Sequence, residues 1–262
     1  MGAVLKIVKL GGSVIAPKES PQDIDAPTLL RLAEEIGKYL KLGDTGPVAV
    51  VHGGGSFGHP LVKECLETYG GMDTGCYSRV AHHMLQLNNY VMEALLSSGV
   101  PAVSIPPRAV CFRDSEGTAC DLTPLIKLLN SGLTPVTFGD VILNEGAGKY
   151  EVISGDLLTW LILLQAGGGE IIFVTDVEGI YSKDPKRFSD AELIKEAEAR
   201  RIVEEASFSG GGVSVTGAML EKLKIGLDLG VEGVKVSVIS GRVPNNLFNA
   251  LKGNVGGTVV WF

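Results

Sequence analysis

Cysteine is scarce: four occur in 262 residues, Cys65, Cys76, Cys111 and Cys120. No two stand in a CxxC pair, and none has zinc-like spacing to one of the four histidines. That argues against a zinc site and favours reduced thiols of a cytoplasmic protein over a disulfide framework. Positive charge is also short, with 23 Lys and Arg against 30 Asp and Glu and a formal net charge of −7. So acidic a chain does not have nucleic acid as its main partner, and if it binds phosphates it must gather its lysines locally. Long apolar runs are absent too. The best candidate, 157–166, is interrupted by Thr159 and Gln165 and is too short for a bilayer span. The opening MGAVLKIVKLGGS has an early lysine and no uninterrupted apolar stretch, so it reads as a first strand rather than a signal peptide. The Walker A pattern G-x-x-x-x-G-K-[ST] occurs nowhere, and the chain shows no internal repeat.

Glycine, in contrast, is plentiful: 35 residues, many clustered where backbone N–H groups can approach a ligand closely. Apolar runs alternate with helical patterns, which predicts an α/β fold with a mostly parallel central sheet covered on both faces. Strands are expected at 4–10, 48–51, 102–105, 135–138, 171–175, 234–239 and 258–261, with the fully apolar 48–51 in the centre. Asp25 is placed to cap a helix that carries Leu29, Leu30, Ala33, Ile36 and Leu40 at helical spacing. Val80, Met84, Leu87, Val91 and Leu95 form one face of a longer helix, and Thr123-Pro124 opens another. A hairpin with arms 141–144 and 150–153 precedes a buried helix at 157–166, which ends at Gly167-Gly168-Gly169. That triple glycine marks a boundary between two lobes sharing one sheet, and a helix at 219–229 follows in the second lobe.

Five segments carry candidate chemistry. Lys9-Leu10-Gly11-Gly12-Ser13 ends the first strand in an anion nest with a point charge beside it, and Lys18 is a second cation within reach of a short loop. His52-Gly53-Gly54-Gly55-Ser56-Phe57-Gly58-His59 follows the second strand and opens a helix, placing free N–H groups at its positive end. There His59 is positioned to donate to a phosphate oxygen, while His52 braces the strand end. Ser154-Gly155-Asp156 stands at a strand-to-helix junction, where Asp156 either caps the helix or holds a lysine. Asp176, Gly179, Tyr181 and Lys183 belong to a constrained polar loop suited to a nucleotide. Finally, Gly217 at a helix start and Lys222 further along it suit the β- and γ-phosphates.

Together and in this order the segments resemble the amino acid kinase superfamily over nearly the whole chain, and H-G-G-G-S-F-G-H resembles the isopentenyl phosphate kinase family within it. The fosfomycin-resistance kinase is a near relative that shares the second histidine. The resemblance implies the amino acid kinase fold, a three-layer αβα sandwich, as a single domain over 1–262. Its N-terminal lobe, about 1–168, would bind the acceptor and its C-terminal lobe, about 169–262, the nucleotide. It implies ATP contacts from Lys9, Gly11, Gly12, Ser13, Gly55, Asp176, Lys183, Gly217 and Lys222. Gly54, His59 and Gly155 would hold the acceptor's phosphate, with Lys9, Lys18 and His59 acting at the transfer point. Magnesium bound mainly through ATP, with no protein metal site, and a cytoplasmic homodimer complete the expectation, with no nucleic-acid or membrane partner. Fosfomycin phosphorylation and a non-catalytic nucleotide or oxyanion module are the alternatives.

Overall fold

The computed structural model describes residues 4–17, 22–146, 149–183, 188–207 and 217–262. Its first strand, β1 (Lys6–Leu10), is buried along its whole length and runs directly into the short helix α1 (Gly12–Ile15). Helix α2 (Ala26–Leu40) starts where the Asp25 carboxylate accepts from Thr28 N–H, as the sequence predicts. Next come β2 (Val48–His52), α3 (Gly55–Tyr69) and α4 (Thr74–Ser97). The middle of the chain holds β3 (Ala102–Ser104), β4 (Cys111–Arg113), β5 (Thr118–Cys120), α5 (Thr123–Asn130), β6 (Thr134–Phe138), β7 (Asp140–Asn144), β8 (Tyr150–Ile153) and α6 (Gly155–Gln165). Beyond it lie β9 (Glu170–Thr175), β10 (Glu196–Glu198), α7 (Ala199–Ser207), α8 (Gly217–Asp228), β11 (Lys235–Ser240), α9 (Asn246–Leu251) and β12 (Thr258–Trp261).

Eight strands form one sheet in the order β10-β12-β11-β9-β1-β2-β6-β3, parallel throughout except where β11 meets β12. Strands from before and after the triple glycine are therefore neighbours, β1 pairing with β9 from Lys6↔Glu170 to Leu10↔Val174. The apolar β2 is central, between β1 and β6. Successive residues of β1 and β2 point to opposite faces, so each face has its own core. Val8, Leu10, Val48 and Val50 pack with α2, α3, α4 and α9, while Ile7, Ala49 and Val51 pack with residues of α5, α6, α7 and α8. This is the expected αβα sandwich. A second sheet, β5-β4-β7-β8, contains the expected hairpin and an additional one, β4–β5.

One expectation fails. The cysteines are paired, Cys65 with Cys76 and Cys111 with Cys120. Their spacing gave no hint because the chain geometry brings them together. The connection between α3 and α4 places Cys65 and Cys76 with Cα atoms 6.0 Å apart, and Cys111 and Cys120 are direct cross-strand partners in β4–β5.

Candidate active site

Parallel strands with helices on both faces leave the ligand crevice at their carboxyl ends, and the glycine segments converge there. The strand ends are linked one to the next: Gly11 N–H donates to Val174 O at 2.8 Å, Gly53 N–H to Leu10 O at 3.0 Å and Gly139 N–H to His52 O at 3.0 Å. Helices α1, α3 and α6 start from this row, so their starts surround one region; some first-turn N–H groups are already taken, Ser56 by Ala16 O and Leu157 by the Ser154 hydroxyl, which leaves the glycine-rich starts to face it. That makes it positive without any side chain. Close packing of these starts requires glycine. Gly55 has φ +47°, and a Cβ there would lie 2.3 Å from Ala16 O and 2.7 Å from Gly12 O. At Gly155 a Cβ would lie 2.9 Å from His52 O.

Two cavities share this region. The first, about 570 Å³ counted to its open mouth, is lined by Gly54, His59, Gly155 and an apolar wall of Val62, Val80, Met84, Val152 and Ile153. The second, about 930 Å³, is lined by Gly11, Gly12, Ser13, Thr175, Asp176, Val177 and the start of α8 through Lys222. Lys9, Gly53, His59 and Asp156 line both cavities, so they occupy the junction.

Electrostatics at that junction centre on Asp156. Its Oδ1 is 2.8 Å from Lys9 Nζ and its Oδ2 is 2.7 Å from Lys222 Nζ. Burial alone would raise the Asp156 carboxyl, but the two ammonium groups outweigh it and hold the carboxyl below its ordinary range. Burial pulls the Lys9 ammonium down, against the upward pull of Asp156. Asp156 therefore places two cations at one spot and keeps them apart. The helix cap that competed for this role belongs to Ser154, whose hydroxyl accepts from Leu157 N–H at 3.1 Å.

The expected site residues divide as follows. Lys9, Gly11, Gly12, Ser13, Asp176 and Lys222 line the larger cavity, Gly54 and Gly155 the smaller, and His59, exposed in α3, lines both. Gly217 begins α8 beside the larger cavity. Gly55 lines neither cavity and serves the contact between α1 and α3. Lys183 lines neither as well: it pairs with Asp190 and lies over the Phe188 ring. Lys18 lies outside the described residues. Leu87 is fully buried in the core, whereas its neighbours Val80 and Met84 reach the smaller cavity. Sequence reasoning missed Gly53 and left Asp156 open. No group of three or more His, Cys, Asp and Glu side chains suited to a metal occurs among the described residues.

His52 braces the floor of the site. It is fully buried, stacked on Phe138 with ring centroids 5.0 Å apart, with Nδ1 3.1 Å from Gly53 O and Nε2 3.4 Å from Asn88 Oδ1. Burial keeps it neutral, with its pKa lowered from 6.5 to about 4. The unfolded chain takes up this proton near pH 6.5 and the folded chain only near pH 4, so the contribution to stability is lost as pH falls through that window. The expected loss is about 3 kcal/mol. Urea unfolding at pH 7 and pH 4.5 should show it, with a smaller difference in His52→Asn. Equal pH dependence in the two proteins would refute this reading of His52.

Residues 5–240 match the amino acid kinase family. An isopentenyl phosphate kinase from Methanothermobacter thermautotrophicus is 36% identical over 259 residues, covering 94% of this chain and 95% of that protein. Its counterpart in Methanocaldococcus jannaschii is 31% identical over 272 residues, covering 99% of each. Solved X-ray structures of isopentenyl phosphate kinase include one that matches with a TM-score of 0.80 and 32% identity, covering 98% of this chain and 99% of that chain. The nearly full-length match, together with two cavities joined at a paired-lysine carboxylate, means that this chain belongs to the amino acid kinase family, among its isopentenyl phosphate kinases.

Proposed function

We propose that this protein transfers the γ-phosphoryl group of ATP to the phosphate of isopentenyl phosphate, giving isopentenyl diphosphate and ADP. The observation that carries the reading is the junction, where Lys9, Gly53, His59 and Asp156 line a nucleotide-sized cavity and a smaller one with an apolar wall. A phosphate oxygen of the acceptor attacks the γ-phosphorus, and the bond from that phosphorus to the β–γ bridging oxygen breaks. The attacking oxygen is already anionic, so no strong general base is needed. The requirement is positioning and neutralisation of charge on the transferring group. Lys9 and Lys222, held by Asp156, supply two positive charges there, and the Gly12 and Ser13 amides receive phosphate oxygens. His59, with Gly54 and the start of α6 at Gly155, holds the acceptor's phosphate facing the nucleotide. The apolar wall takes the hydrocarbon tail and argues against a small polar phosphonate as the main substrate.

Magnesium fits this site as a partner of ATP. Both Asp156 oxygens contact lysines, and the larger cavity adds the carboxylates of Asp176 and Glu221 rather than a protein cage. Held mainly through ATP, the ion would neutralise further charge there. We take Lys183 as an outer contact of the nucleotide and Lys18 as a further cation at the transfer point. A homodimer is the proposed form, as the sequence resemblance implies, whereas the cytoplasmic reading loses its argument from reduced thiols now that both cysteine pairs are joined. No helix among the described residues is long and apolar enough to cross a membrane. ADP release with MgATP, measured across isopentenyl phosphate, dimethylallyl phosphate, fosfomycin and amino acids, tests the assignment. Turnover is expected with isopentenyl phosphate. Turnover of fosfomycin or an amino acid with none of isopentenyl phosphate would overturn it.

A further inference from the structure

One buried ion pair borders the smaller cavity without taking part in the chemistry above. Asp140, first residue of β7, has a side chain with no exposed surface, and its Oδ2 pairs with Arg108 Nη1. Arg108 lies in the turn after β3, and its Nη2 donates to Ala81 O at 3.3 Å. Ala81 is the α4 residue that follows Val80, and Met84 is one turn further along the helix; Val80 and Met84 belong to the apolar wall. Asp140 is itself a lining residue, and its β-partner Ile153 forms the facing wall. One guanidinium thus joins α4 to the β7–β8 hairpin, the two sides between which a hydrocarbon tail would lie. At the N-terminal end of α4, Tyr77 packs on Tyr150 with centroids 4.8 Å apart, and Tyr150 Oη is 3.0 Å from Thr74 Oγ1.

A buried pair of this kind is a poor source of net stability. Removing two charges from water offsets most of their attraction, and well-packed apolar replacements are often as stable. Burial raises the Asp140 carboxyl to about 6 despite Arg108 beside it, and its Oδ1 has no hydrogen-bond partner among the described residues. What the pair adds to the Tyr77–Tyr150 contact is a fixed spacing beside Ala81, because the planar guanidinium spans a carboxylate and a carbonyl at the same time.

We propose that the Arg108–Asp140 pair is a specificity-determining strut, which holds α4 and the β7–β8 hairpin at the spacing that admits a short branched tail and excludes a longer one. This inference rests on the proposed reaction. It assigns Arg108 and Asp140 a positioning role, since neither contacts the transferring phosphate. The strut acts on the tail side alone, so its loss leaves nucleotide binding unchanged.

The test compares kcat/KM for a ten-carbon prenyl monophosphate with that for isopentenyl phosphate, in the unaltered protein, Arg108→Ala and Arg108→Met/Asp140→Leu. The double variant replaces both charges with apolar side chains, so it retains folding where the single one leaves a buried carboxylate unpaired. Circular dichroism confirms that each variant is folded. The expected result is a rise of at least about tenfold in the ten-carbon to five-carbon ratio, with the KM for ATP changed less than twofold; a tenfold ratio corresponds to about 1.4 kcal/mol. A general structural role predicts equal losses on both substrates, and an unchanged ratio in the folded double variant would overturn the proposal. Absence of isopentenyl phosphate turnover in the unaltered protein would instead refute the proposed reaction.

Discussion

Asp156→Asn is expected to lower kcat by about a thousandfold while leaving the protein folded. Among the described residues the Asp156 carboxylate is the ion-pair partner of both Lys9 and Lys222, at 2.8 and 2.7 Å. Asparagine keeps the shape but removes the negative charge, and its amide nitrogen faces one of the two ammonium groups. Two poorly solvated cations are then left close together. Lys9, already pulled down by burial, loses the interaction that raises it. A neutral or displaced Lys9 no longer balances the charge that spreads over the transferring phosphoryl group. Removing one preorganised donor in other enzymes costs roughly 3 to 4 kcal/mol, and here two are disturbed at once. Steady-state kinetics of the purified variant give the number. A kcat within about threefold of the unaltered enzyme would mean that the lysine pair does not stabilise the transition state.

His59→Ala should produce a different signature. His59 lies on the first turns of α3 and lines both cavities, so in the proposed reaction its loss removes a donor at the acceptor's phosphate and leaves Gly11, Gly12, Ser13 and Lys222 in place. Turnover is expected to fall by about two to three orders of magnitude, the range seen when a single oxyanion donor is deleted. The KM for isopentenyl phosphate should rise and ATP affinity should change little. Asp156→Asn, in contrast, should disturb both sides of the junction. A fall in ATP affinity as large as the fall in turnover would move His59 to the nucleotide side.

Local signals carried most of the fold and much of the site. The β1 and β2 runs are short and apolar and end in glycine, a pattern that depends on neighbours in the chain alone, and the loops they predict are where the cavities form. Asp25 likewise caps α2 through a residue three positions away. Features that depend on distant residues were not legible. For Asp156 a local role, capping α6, competed with holding a lysine, and only the folded sheet brings Lys9 and Lys222 to it. Cys65 and Cys76 meet across the connection between α3 and α4, and Arg108 reaches Asp140 across four intervening elements, β4, β5, α5 and β6. Strands β4, β5 and β10 have three residues each, too few for an alternating pattern to stand out. Gly55 carries the residue type expected of a phosphate contact, yet it packs against α1 and lines neither cavity. Residue type alone does not give the direction in which a group points.

In the proposed reaction the acceptor is itself a phosphate, recognised at the start of α3 and attached to a short apolar tail. Phosphorus NMR of the protein with MgATP and isopentenyl phosphate tests it most directly. The monophosphate resonance should disappear, matched by a coupled diphosphate pair and an equimolar amount of ADP, with no reaction when isopentenol replaces its phosphate. ADP accompanied by inorganic phosphate, with isopentenyl phosphate left intact, would contradict it.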